Sequence, residues 1–163
     1  MCNFKSAIVI KDESSKGGFR LIMSPWTESH SDLITMHKLN DGKMLHFARV
    51  EYSPDTMDNA YLPEKYKLKI DEQRCPEWFG DEMKEAVADK IKSYIKSIIV
   101  SGDVDLLIGG QFIIAPGANV SSAKAMVINA ICGGTVQEVL GGGTVQKVLG
   151  GGTVQKVLGG GTV

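Results

Sequence analysis

Residues 135–163 read TVQEVLGGGTVQKVLGGGTVQKVLGGGTV, a unit of Thr-Val-Gln-(Glu/Lys)-Val-Leu-Gly-Gly-Gly recurring every nine residues. No other stretch limits the fold so strongly. A triple glycine in each unit leaves only six residues between breaks, too few for an isolated helix. Threonine and valine favour strands, and glycines supply the positive φ that corners need. One short strand and one tight turn per unit is therefore expected. In a straight strand Val136 and Val139 would fall on opposite faces, so the strand must bend near residues 137–138 if both are to point inward.

A nine-residue coil encloses almost no interior, whereas two units per coil give ~18 residues, a size at which short-repeat solenoids close. The expected shape is a flattened two-sided coil with residue i stacked on i+18: Thr135 on Thr153, Thr144 on Thr162, Gln137 on Gln155, and Glu138 beside Lys156. The last pair sets opposite charges side by side, which supports that register over its alternatives. Val148 and Val157 are expected inside, Gln146 and Lys147 at least partly exposed. Counting back nine from Thr135 and Val136 reaches Met126 and Val127, so degenerate copies are expected to begin near residue 100. A solenoid stopping mid-unit at Val163 would present an uncharged strand edge, which predicts a homo-oligomer formed through the solenoid. The competing expectation is that the last units fray.

Upstream, the pattern changes. Residues 4–11 and 19–24, joined by the turn-forming KGG at 16–18, predict a β-hairpin. SHSDLITMHKLNDG offers Ser29 or Ser31 as an N-cap and Leu33, Met36 and Leu39 at helical spacing, with a stop at residues 40–42. Residues 44–54 and 65–71 alternate apolar with polar and predict two half-buried antiparallel strands. Residues 82–99 place Met83, Val87, Ile91, Tyr94, Ile95 and Ile98 on one stripe, an amphipathic helix packed on the sheet with a cap expected at Asp81. Trp78 and Phe79 are expected to staple that helix to the sheet. The fold class is thus an α+β head, an antiparallel sheet with one long amphipathic helix, over residues 1–99, followed by a β-solenoid of nonapeptide repeats over residues 100–163.

With 18 Lys and Arg against 19 Asp and Glu, no global field favours nucleic acid or an anionic membrane. No signal peptide and no run of ~20 apolar residues is visible, which predicts a soluble cytosolic protein. The three cysteines, Cys2, Cys75 and Cys132, are widely spaced and expected to be free thiols. No metal motif, phosphate-binding loop or cofactor signature appears.

Candidate chemistry gathers at the start. Loss of Met1 would give Cys2 both a thiol and an α-amine, the pairing used by N-terminal nucleophiles, and predicts as an alternative a hydrolase or transferase. His30, Arg49 and Glu51 lie on elements able to pack beside it and are the other catalytic candidates. For each there is a plainer role: His30 in the first turn of a helix, Arg49 and Glu51 as an ion pair two residues apart on one strand face. His37 and His46 have no acidic neighbour at ligand spacing.

The stretches MCNFKSAIVIKD, SHSDL, HFARVEYSP and IDEQRCPEWF, followed by short tandem repeats, resemble a family of uncharacterised bacteriophage and gut-bacterial proteins that share such a head and carry variable repeat tails. The resemblance implies a mobile-element accessory protein in a phage-infected or bacterial cytosol, and it implies no catalytic residue. Its partner would be a host protein or a small molecule held by the head, with the solenoid joining copies.

Overall fold

The computed structural model describes residues 4–40 and 46–163, which form two compact units. One unit holds the described residues up to Ser53 together with Tyr66–Ser93; the other holds Pro54–Lys65 and Tyr94–Val163.

The first unit is built on a four-stranded sheet in the order β2-β1-β3-β4, from β1 (Lys5–Lys11), β2 (Phe19–Ile22), β3 (Phe47–Pro54) and β4 (Tyr66–Ile70). The hairpin β1–β2 is antiparallel, with Ile8 opposite Ile22 and Lys11 opposite Phe19. β1 also pairs antiparallel with β3, Lys5 facing Tyr52 and Ile10 facing Phe47. Hydrogen bonds from Asp55 N–H to Lys65 O and from Asp71 N–H to Arg49 O set β4 antiparallel to β3. The short helix α1 (His30–Met36) starts at Ser29, whose side chain accepts from the Asp32 N–H as expected of an N-cap.

Each face of the sheet carries a helix. Leu33 of α1 packs with Ile8, Ile22 and Phe47 on one face. On the other, the long helix α2 (Asp81–Ile98) sets Lys90 Nζ 4.3 Å from the centroid of the Phe19 ring. Asp81 is the first helical residue and binds Lys84 Nζ at 3.1 Å, rather than standing before the helix as its cap. Val87 and Ile91 are fully buried, as the stripe predicts. Phe79 is buried and Trp78 stands edge-on to it.

β3 differs from expectation. Phe47, Ala48, Arg49 and Val50 are all buried, so the strand is not half-exposed. Its place between β1 and β4, with a helix over each face, removes the solvent side that alternation implies. The strand expected to start at Met44 has its first residues outside the described ones. β4 follows the pattern, with Lys67 and Lys69 exposed between Tyr66, Leu68 and Ile70.

The second unit is a β-solenoid of about four turns over residues 99–157. Its first sheet, in the order β13-β10-β8-β6, stacks β6 (Asp103–Ile108), β8 (Asn119–Lys124), β10 (Thr135–Leu140) and β13 (Thr153–Val157). Its second stacks β5 (Ile99–Val100), β7 (Gln111–Ile114), β9 (Val127–Cys132) and β11 (Thr144–Val145), with β12 (Val148–Leu149) also on β9. All these pairings are parallel. The last turn of α2 belongs to this unit, where Tyr94 Oη donates to Gln111 Oε1 at 2.9 Å. So does the segment Pro54–Lys65, which approaches β9 where Cys132 Sγ lies 3.8 Å from Met57 O.

The register is the expected one in the regular copies. Thr135 pairs with Thr153, Val136 with Val154, Glu138 with Lys156, and Thr144 with Thr162. The bend is present as well: the ladder skips Gln137, and Val136 and Val139 are both fully buried. Upstream the period is shorter. In the first sheet Asp103 pairs with Asn119 and Asn119 with Thr135, an advance of sixteen residues rather than eighteen, and in the second sheet the advance is fourteen at Ile99–Ile113 and seventeen at Val127–Thr144. Val127, not Met126, occupies the threonine position, since it pairs with Thr144. The forerunners are therefore octapeptides, and counting back by nines loses the phase. The inner columns run Val104–Val120–Val136–Val154 and Leu107–Ala123–Val139–Val157.

Val148 and Val157 are 39% and 41% exposed, against the expectation that both are buried. Each continues an inner column, Val148 on Ile131 and Val157 on Val139, but among the described residues no further strand covers them. Gln146 and Lys147 are exposed, as expected.

Candidate functional site

The sequence candidates in the head take up distinct places. Cys2 lies outside the described residues. His30, the first residue of α1, sets Nε2 2.9 Å from Val50 O, and because a carbonyl only accepts, that nitrogen carries the proton. The ring thereby ties the start of α1 to β3. Arg49 is 4% exposed with its guanidinium 4.9 Å from the centroid of the Phe47 ring. Glu51 stands opposite Ser6 in the β1–β3 ladder, so Arg49, Glu51 and Ser6 share one face of the sheet. Ser53, two residues beyond Glu51, shares that face too. The hydroxyls of Ser6 and Ser53 are buried and make no hydrogen bond within the described residues.

A second cluster escaped sequence reasoning. Lys5 is fully buried, and its ammonium donates to Ser24 O and, at 3.0 Å, to Glu28 Oε1. The other carboxylate oxygen of Glu28 accepts from Ser6 N–H at 2.7 Å. β2 ends opposite Ile8, so among the described residues the edge of β1 before that point has no strand beside it, and Glu28 supplies the acceptor a strand would have given. Burial pushes the Lys5 amine below its ordinary range, while Glu28 pulls it back up. The signal was a lysine set in a mostly apolar run, FKSAIVI, since a buried ammonium requires a countercharge.

Chemically, this end of the sheet offers two buried hydroxyls, a guanidinium and a carboxylate on one face, a set suited to hydrogen bonding. The cysteines that the structure describes, Cys75 and Cys132, are free thiols. Burial pushes both up, helped by Glu72 and Asp58 respectively, which is the reverse of the activation a nucleophile needs. Among the described residues no group of three or more His, Cys, Asp or Glu could hold a metal ion, and no helix is long and apolar enough to cross a membrane.

No protein-family model, curated protein or solved structure matches the chain.

The other candidate site is in the solenoid unit, at the edge of β13. That strand hydrogen-bonds to β10 alone among the described strands. Val148 of β12, in the other sheet, is 39% exposed, and Val157 of β13 is 41% exposed. The outer face beside it is a polar groove of about 400 Å³ lined by Ser121, Ser122, Gln137, Glu138, Gln155 and Lys156. Sequence reasoning found this edge, because unbroken copies of one unit require each strand to resemble the next.

Proposed function

We propose that this protein is an assembly module whose solenoid joins copies and so displays its head in multiple. The observation that carries the proposal is the in-register parallel stack of near-identical units, Thr135 on Thr153, Val136 on Val154 and Val139 on Val157, in which each strand takes its own kind as partner. A strand matched to its own kind is equally matched to the same strand of a second copy. Joining heads raises their apparent affinity for a multivalent target without any new contact at the head. The target held by the head would be a host protein or a small molecule. The likeness of the MCNFKSAIVIKD and SHSDL stretches to phage and gut-bacterial heads supports a cytosolic accessory role in those cells.

Light scattering on the full chain and on Val157→Asp tests the assembly role. Removing residues 133–163 would be less clean, since it uncovers Ile128 and Ile131, which are fully buried. The wild-type chain is expected to exceed monomer mass with rising concentration, and Val157→Asp to stay monomeric while keeping its circular dichroism spectrum. A monomeric wild type would overturn the proposal.

A further inference from the structure

We infer that the head binds a small molecule through its carboxylate group, at the place where Lys67 of β4 stands across from Ser53 of β3 and Ser6 of β1 lies diagonally beyond. These residues all belong to the first unit, so the site is independent of the assembly role.

Two backbone hydrogen bonds fix the rows of side chains. Asp71 N–H donates to Arg49 O and Asp55 N–H to Lys65 O, which sets Arg49 opposite Asp71, Glu51 opposite Lys69 and Ser53 opposite Lys67. Ser6 of β1 extends the middle row, since it pairs with Glu51. Alternate residues of a strand share a face, so all of these side chains stand on one side of the sheet.

Charge is matched across two of the three rows. Arg49 faces the acid Asp71, and Lys69 faces the acid Glu51. Lys67 instead faces a hydroxyl, and among the described residues it makes no ion pair. Lys5 and Glu28 balance each other at 3.0 Å. One positive charge is thus left over, at the row of Ser53.

Burial deepens along that row, from the exposed Lys67 to Ser53 at 3% exposure and, diagonally beyond, Ser6 at 0%. Both hydroxyls are shut off from solvent and have no hydrogen-bond partner among the described residues. Buried hydroxyls are paired in the great majority of cases, and an unpaired one is costly. An acceptor brought by a ligand past Lys67 removes that cost.

The fitting group has two acceptor oxygens and a single negative charge. Ser6 and Ser53 lie diagonally across the β1–β3 ladder, roughly 7 Å apart at Cβ, a gap that one carboxylate bridges with a hydrogen bond from each hydroxyl. Its charge balances Lys67 and no more. A phosphate dianion would set a second negative charge beside Glu51 and is the poorer match.

NMR titration of the full chain with sodium acetate, against sodium chloride at equal ionic strength, tests the site. Acetate is expected to shift the amide signals of Ser53 and Lys67 saturably, and chloride to leave them in place. Ser53→Ala and Lys67→Gln should each weaken acetate about tenfold, and inorganic phosphate should bind no tighter than acetate. Thermal unfolding without ligand supplies a second readout: Ser53→Ala should hold or raise the midpoint, because its hydroxyl has no partner to lose. Shifts scattered over the surface lysines, as from an adventitious ion only, would overturn the site. So would equal acetate affinity in Ser53→Ala, a preference for phosphate, or a lowered midpoint in ligand-free Ser53→Ala. None of these outcomes touches the assembly role, which light scattering decides separately.

Discussion

Glu138 Oε1 lies 3.5 Å from Lys156 Nζ across one full coil of the solenoid. The regular copies carry Lys147 and Lys156 at this position of the unit, and Glu138 is the one departure. It stands where a lysine would face another lysine on the next coil.

Glu138→Lys is therefore expected to lower stability, by about 0.5 kcal/mol, because both side chains are well exposed. Urea titration at low and high salt checks it. The loss should shrink at high ionic strength, where surface charges are screened.

Burial ranks the valines of the stack. Val139 is fully buried and Val148 is 39% exposed, although both occupy the same place in the unit. Val139→Asp buries an unpaired charge and should cost several kcal/mol, on the order of 3 or more, while Val148→Asp should cost roughly 1 kcal/mol. The midpoints of denaturant unfolding measure the difference.

The corner glycines divide into two kinds. Gly151 has φ +78° with open space around its Cα, whereas a Cβ on Gly152 would stand 2.7 Å from Ile131 Cγ2 and 2.8 Å from Ile131 O. Gly151→Ala should cost about 1–2 kcal/mol in backbone strain. Gly152→Ala must move the neighbouring coil's backbone and should cost more, about 3 kcal/mol, with a drop in thermal midpoint to match.

Glu28→Gln leaves the buried Lys5 ammonium without its countercharge and is expected to cost about 3 kcal/mol at neutral pH, against a smaller loss for Lys5→Met. The pH dependence has a definite sign. Burial lowers the folded-state pKa of Lys5 below its ordinary value, and removing Glu28 lowers it further. Between that folded pKa and the unfolded one the unfolded chain binds more protons, so the stability of Glu28→Gln should recover as pH rises through this window. Unfolding followed from pH 7 to pH 10 tests it.

The regular copies made the solenoid legible, because identical units fix both coil length and register once an interior must be enclosed. The octapeptide coils were less so. Val104, Phe112, Val120, Ile128 and Val136 recur every eight residues, but serine, alanine and asparagine in the other positions mask the rhythm that the glycine triplets make plain downstream. In the head, His30 and Ser29 could be placed on a helix start from their neighbours alone. The pairing of Lys5 with Glu28 could not, since it joins a strand to a loop across twenty-three residues and follows from where β2 stops.

The eighteen-residue advance of the regular copies has a consequence for copy number. Because each nonapeptide is half a coil, gaining or losing one unit transfers the terminal strand from one sheet to the other. Gaining or losing two restores it. Chains with odd and even counts of the unit would then place their last strand in opposite sheets, so parity, more than length, sets which of the two sheets is the larger.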